Sequence, residues 1–200
     1  VCGAVECINP KLHKEMCPSK PVDEIIEMFS VCDELGLKKA ITIIIGLGET
    51  EKDISLLLDF IEKHGISRIT FYALNPHEGT IFKKGPDPER YAKWISATRK
   101  RFPKIHIIAG SWVDRLDEIP LLLEAGADSI TKFPAIKLFN SDFAKRIEKG
   151  VSSAGFEFNG SLTKLLHSDW EYFLSAIYVD DKLKEKIFLK LDNYLKKMLN

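Results

Sequence analysis

The sequence predicts an α/β fold: parallel strands with helices packed outside them, arranged as the later part of a partial α/β barrel, and a helical C-terminal tail. Three observations carry that reading. Short apolar runs alternate with segments of helical period from residue 1 to residue 131, the alternation that builds a parallel sheet. The isoleucine run inside residues 39–46 is unbroken, as in strands covered on both faces. The links are short, so consecutive strands sit side by side. A closed eight-stranded barrel takes about 250 residues, whereas these 200 residues hold about five strand–helix units and the tail.

Each element has its own reason. The opening run VCGAVEC is the first strand, followed by a polar, proline-containing loop to Pro21. Val22, Ile25, Ile26, Phe29, Cys32 and Leu35 recur at helical spacing, which puts Cys32 in the core, and Gly36 suits the stop,. Residues 39–46 form the second strand. Thr50 and Asp53 resemble a capping box, whose side chains satisfy the first free helix N–H groups. Ile54, Leu57, Leu58 and Ile61 then make an apolar stripe ending at His64-Gly65. RITFYAL, residues 68–74, is the third strand. Asp87-Pro88 suits an N-cap and first turn for a helix carrying Tyr91, Trp94, Ile95 and Phe102. KIHIIAG (104–110) is a strand, Asp114 to Glu124 a helix, and Asp128 to Thr131 a short strand. Beyond Phe133 the pattern is mainly helical, with apolar stripes near 162–178 and 183–199. The expected organisation is a barrel portion over 1–135 and a helical extension over 136–200.

Composition narrows the function classes. Lys plus Arg equals Asp plus Glu at 29 each, so no global field attracts nucleic acid or an anionic membrane. No apolar run approaches the ~20 residues that span a bilayer. The expectation is a cytoplasmic, soluble protein with neither nucleic acid nor membrane as partner. Four cysteines, at 2, 7, 17 and 32, form neither a disulfide scaffold nor a CxxC pair, so reduced thiols are expected. The chain opens inside an apolar stretch at Val1, which reads as a cut through a larger protein.

The segment ITIIIGLGETEKD, residues 41–53, is strand, glycine turn and helix start. It fails both familiar phosphate patterns. A dinucleotide fingerprint needs a third glycine where Glu51 stands, and a P-loop needs Gly-Lys-Ser/Thr,. Gly46 and Gly48 would let backbone groups approach a flat ligand closely, and Glu49 suits hydroxyls or a cation better than a phosphate. The plain alternative is a tight strand–helix turn with Glu49 stabilised by the helix dipole.

Three segments in order, VECINPKLHKEMCP, GLGETEKD and ALNPHEGTIF, resemble radical S-adenosylmethionine (SAM) enzymes, in the branch that holds biotin synthase and the iron–iron hydrogenase maturase. The resemblance covers roughly residues 1–135,. It implies a partial TIM barrel of the radical SAM type. It further implies that the complete enzyme binds a 4Fe-4S cluster, cleaves SAM reductively and abstracts hydrogen from a small-molecule substrate, with an electron donor such as ferredoxin or flavodoxin. By this resemblance Glu6 is the acid near the SAM ribose or methionine end. Ile44, Gly46, Gly48 and Glu49 form the adenine-side strand and turn. Leu74, Asn75 and Pro76 cover the adenine from another side, chiefly through backbone. No catalytic residue is assigned.

The departures matter as much. The family's Cys-x3-Cys-x2-Cys loop, whose three thiolates hold the cluster, has no counterpart here; Cys2, Cys7, Cys17 and Cys32 are spaced differently. Its place by resemblance is upstream of Val1, so this portion alone is expected to be inactive. Biotin synthase itself is a poor match: Ala40 and Ser111 stand where that enzyme has a second-cluster cysteine and an arginine. Cys7, His13 and Cys17 offer too few ligands for a convincing metal site. Other readings are a cluster-free barrel enzyme, of aldolase or isomerase type, using His77, His106 or Glu49, and a non-catalytic ligand-binding domain. Glu78 accompanies His77 at the strand end. His106 could face the lumen or a helix. Asp114, Arg115, Asp117 and Glu118 could touch a polar substrate or simply form a charged first helical turn.

Overall fold

In the computed structural model, which describes residues 1–165 and 168–199, the chain divides into two compact units, Val1–Lys132 and Phe133–Asn200. The first unit carries five strands: β1 (Cys2–Glu6), β2 (Ala40–Ile45), β3 (Arg68–Ala73), β4 (His106–Gly110) and β5 (Ser129–Thr131). All pair in parallel, in the sheet order β1-β2-β3-β4-β5. Each crossover therefore steps in the same direction. With right-handed connections this places every connecting helix on one face of the sheet, the arrangement of an α/β barrel wall.

The pleat separates two faces. Ile41, Ile43, Ile45, Ile69, Phe71, Ala73, Ile107 and Ala109 are buried on the side that meets the helices. There Gly3 faces Ile25 and Phe29 of α2 (Val22–Glu34), where a Cβ would have no room. Tyr91 of α4 (Pro88–Arg101) inserts its hydroxyl between β3 and β4, 2.8 Å from the Phe71 carbonyl and 3.0 Å from the Gly110 N–H that donates to it. Thr42, Ile44, Tyr72 and Ile108 point to the inner face and are only half-buried. The isoleucine run is thus not covered equally on both sides as its composition predicts. A barrel wall buries the helix side fully, while its inner side faces the lumen.

Residues expected as a loop before Pro21 contain a helix, α1 (Pro10–Met16). Asn9 starts it: its Oδ1 accepts from the Lys11 and Leu12 N–H groups at 3.1 Å each, and Pro10 takes the first helical position, where no N–H is needed. The same Asn-Pro logic was available in the sequence. Thr50 and Asp53 open α3 (Asp53–His64) with half of a capping box: Asp53 Oδ2 accepts from the Thr50 N–H at 2.7 Å, while the Thr50 hydroxyl donates to Asp53 rather than accepting. Gly65 ends α3 in the left-handed conformation, φ 59°,. Asp87 is the N-cap residue of α4, but its side chain makes no capping bond. The segment expected as one helix from Asp114 is a 3₁₀ segment, Val113–Glu118, kinked by non-helical torsions at Arg115 within it, followed by α5 (Ile119–Glu124).

The second unit contains α6 (Asp142–Ser153), α7 (Trp170–Ser175) and α8 (Asp181–Leu199). Ser141 caps α6, and Glu148 gathers Ser161, Leu162 and Thr163 around its carboxylate. Of the apolar stripe expected near 162–178, Trp170–Ser175 is helical, and Leu166 and His167 lie outside the described residues.

Candidate functional site

The C-terminal ends of parallel strands in such folds carry the loops that bind ligands. Three of the sequence segments singled out above meet there. Glu6 ends β1 with φ 59° and lies in register with Ile43 after an irregularity in the ladder. A side-chain-bearing residue holds that left-handed conformation only where its surroundings fix it. Its Oε1 accepts from Lys20 Nζ at 2.9 Å, a contact that raises the lysine's pKa. Ile44 is half-buried on the inner face one step away. Asn9, just beyond Glu6, donates through Nδ2 to Asp53 Oδ1 at 2.8 Å, tying the first segment to the second.

The turn after β2 is built around Glu49. Its side chain is buried, Oε1 accepts from the Gly46 N–H at 2.8 Å, and Oε2 accepts from the Gly48 N–H at 3.2 Å. Arg90 of α4 pairs with Oε1 at 2.9 Å and also donates to the Glu49 carbonyl. The carboxylate therefore organises the turn from within. Gly46 and Gly48 sit at φ 117° and 120°, values that exclude other residues without strain. At Gly46 a Cβ would also meet Leu74 Cβ at 2.9 Å and Pro86 Cδ at 3.1 Å, so that glycine lets the next strand end approach. The Leu74 N–H continues the contact, donating to the Ile45 carbonyl at 2.9 Å.

Leu74, Asn75 and Pro76 are half-buried, and the residues that follow, His77 to Ile81, are exposed. Asn75 makes no hydrogen bond to any described residue. The structure thus brings Glu6, Ile44, Gly46, Gly48, Glu49, Leu74, Asn75 and Pro76 to one edge, the ends of β1, β2 and β3.

Of the acid–base candidates, Glu49 lies at that edge and His77 follows Pro76 there, but His106 does not share it. His106 is the first residue of β4 and its Nε2 lies 3.1 Å from Ser129 Oγ on the inner face. Four further residues of strand separate it from the C-terminal rim, roughly 13 Å at the rise of a β-strand. His77 and Glu78 are exposed in the loop after β3. Glu118 is buried rather than solvated in a first turn: Arg115 Nη2 pairs with it at 2.6 Å and reaches the Pro86 carbonyl at 2.8 Å. Ser111 is buried and donates to Glu118 Oε1 at 2.9 Å. These groups lock the loop after β3 to the end of β4.

Among the described residues no group of three His, Cys, Asp or Glu side chains could hold a metal ion. Cys7 is buried, which pushes its thiol up to about 11 against the weaker lowering effect of the Asn9 carbonyl contact. His13 is buried with Nε2 unpartnered among the described residues, and Cys17 closes α1. With Cys7, Phe60 and His64 they border a cavity of about 700 Å³ on the helix side of the sheet, lined by α1 and by residues of α2 and α3.

Three residues at this rim escape sequence reading as a group. Lys132, after β5, places Nζ 4.5 Å from the Tyr72 ring centroid and 5.1 Å from that of Trp112. No linear pattern links the three, because they come from the ends of three different strands and the loops that follow. Tyr72 has its pKa raised by burial first, then by the charges of Cys2 and Glu6.

No protein-family model matches the chain. It is 39% identical over 215 aligned positions, along 100% of its length, to an uncharacterized protein of Methanocaldococcus jannaschii, and covers 60% of that protein. Over 60% of its length it is 30% identical to the ribosomal protein uS12 methylthiotransferase RimO of Actinobacillus succinogenes, covering 31% of that enzyme. Among solved structures it is similar to the FeFe-hydrogenase maturase HydG from Carboxydothermus hydrogenoformans, with a TM-score of 0.54, 17% identity, and coverage of 64% of this chain and 33% of HydG. The chain thus spans from about a third to about three fifths of the length of these relatives. The fold is α/β and TIM-barrel-like, and these similarities support a distant relationship to radical SAM proteins.

Proposed function

We propose that this chain supplies the adenosine-binding strand ends of a radical SAM enzyme. The complete enzyme would bind a 4Fe-4S cluster, cleave SAM reductively and abstract hydrogen from a small-molecule substrate, drawing electrons from a donor such as ferredoxin or flavodoxin. The observation that carries this reading is the convergence of the three motif segments at one edge, through the Asn9–Asp53 bond and the close approach of Leu74 to Gly46.

In this reading SAM and the cluster supply the radical chemistry, and the protein binds, orients and excludes water. Ile44 and Leu74 offer the half-buried apolar contacts that an adenine ring needs. Asn75, without a partner among the described residues, offers donors and an acceptor to the base edge,. Pro76 extends the same wall. Glu6 faces the ribose or methionine end, held by Lys20. Glu49 is a positioning residue, acting through Gly46 and Gly48. The four cysteines do not fit the cluster: two are buried, and no metal-holding group occurs among the described residues. In this reading its ligands would come from outside this sequence, as the family resemblance implies.

The test is calorimetric titration with S-adenosylhomocysteine. Saturable binding is expected, weakened about tenfold by Asn75→Ala, the loss of one or two hydrogen bonds, and also weakened by Glu6→Gln. No saturable heat, or affinity unchanged from the unsubstituted protein in both variants, overturns the reading. For the longer protein, anaerobic iron and sulfide analysis followed by detection of 5′-deoxyadenosine tests the chemistry.

A further inference from the structure

The ends of β3, β4 and β5 carry a second group of side chains that the adenosine reading does not use. Lys132 stands at φ 75°, a backbone state that a lysine keeps only when its neighbours hold it. Its ammonium lies over the faces of Tyr72 and Trp112, at cation–π range. Among the described residues no carboxylate lies within ion-pair distance of it.

Both rings are fixed in place. Trp112 Nε1 donates to the Ala73 carbonyl at 2.9 Å. Tyr72 lies across Gly110, where a Cβ would come within 2.9 Å of Tyr72 Cε1 and closer still to Cδ1. Glycine at that position thus clears the space in which the ring lies. The result is a rigid aromatic shelf with an exposed positive charge on it, at the rim where ligands enter.

The inner face below the shelf is unusually polar. Interiors of α/β barrels are filled mainly by Val, Ile and Leu. Here Thr42, Thr70, Tyr72, Ser129 and Thr131 share the inner face by register. On the adjoining β2, Thr42 Oγ1 is buried without a partner among the described residues, an atom that a water or a bound polar group would satisfy.

We propose that this half of the inner face binds the substrate, a small hydroxylated molecule with one anionic head, carboxylate or phosphate. The head sits on Lys132, completing the charge that the two rings already hold, and the body meets the threonine and tyrosine hydroxyls. An apolar substrate would leave these hydroxyls unpaired and is disfavoured for that reason. The proposal rests on the strand ends being the ligand face and is independent of which cofactor occupies the β1–β3 edge.

Glycerol 3-phosphate and glycerate serve as probes for the two head groups, with glycerol as the uncharged control, in ¹H–¹⁵N NMR titrations of the protein. Saturable shifts of the Trp112 indole N–H and the Tyr72 and Thr131 amides are expected with at least one anion, and none with glycerol at equal concentration. Which anion binds more tightly distinguishes phosphate from carboxylate. Lys132→Met should weaken that binding about tenfold or more, the loss of one charge-assisted contact, and Lys132→Arg should retain most of it. The spectra of the variants report whether the fold is intact. Shifts confined to other regions, equal shifts with glycerol, or unchanged affinity in Lys132→Met overturns the proposal. S-adenosylhomocysteine titrated in parallel separates the two sites: its binding should survive Lys132→Met, and its failure alone counts against the adenosine reading only.

Discussion

Arg90 on α4 holds Glu49 in the turn after β2 twice, through side-chain Oε1 at 2.9 Å and through the Glu49 carbonyl. The helix that follows β3 thereby clamps the loop that follows β2. A buried carboxylate with this many donors leaves several groups unsatisfied when removed. Glu49→Ala should cost about 2–4 kcal/mol, the range for breaking a buried charged network. Arg90→Ala should cost less, since the arginine side chain is 38% exposed and water replaces part of its role. Urea unfolding midpoints of the two variants check the order. Equal losses would show that the buried acid contributes no more than its exposed partner, and no loss in Glu49→Ala would show that the turn does not depend on it.

Asp53 gives the protein an acid-sensitive joint. Burial alone would raise its pKa, but hydrogen bonds from the Thr50 N–H, the Asn9 amide and the Thr50 hydroxyl outweigh that and hold it below the ordinary value. The unfolded chain therefore takes up the proton first, at about pH 4. The stabilisation is present above that pH and is lost as pH falls through the lower folded value. Asp53→Asn should be less stable by about 1–2 kcal/mol at pH 7 and lose less on going to pH 3. Parallel pH dependence in the two proteins, followed by denaturant unfolding, would contradict this.

Gly110 is predicted to be intolerant of a side chain. Alanine there would push Tyr72 off the inner face, at a cost of about 1–3 kcal/mol for overpacking. Gly110→Ala should also move the Trp112 indole N–H signal, since Lys132 bridges both rings. Gly36, with nothing within 4 Å of a Cβ but φ 64°, should lose only about 1 kcal/mol on the same change. Thermal denaturation of both variants makes the comparison.

The thiols should separate by reactivity. Cys2 is exposed, Cys17 is partly so, and Cys7 and Cys32 are buried. Burial pushes Cys7 up to about 11, so its thiolate is scarce at pH 8. Iodoacetamide at pH 8, with peptide mass mapping over time, should mark Cys2 first, then Cys17, and Cys7 and Cys32 last. Early labelling of Cys7 would show that the cavity beside α1 opens readily.

Apolar periodicity alone located all five strands, because burial against helices writes a local pattern into each segment. It also located the Gly46 turn and placed Ile44 and Leu74 at strand ends. Asn9-Pro10 carried the signal for α1, but a polar segment bracketed by prolines also fits a loop, and only the Asn9 capping bonds decide between them. Glu49 was legible as an acid in a turn. That it faces inward onto Gly46, Gly48 and Arg90 depends on a helix 41 residues away in sequence. Lys132, Tyr72 and Trp112 left no linear trace. Sequence patterns record what each strand needs from its immediate neighbours, so the α/β class and the order of elements followed from the residues alone. Which side chains share the rim depends on strand register and on loops crossing between strands, and only the tertiary structure sets those.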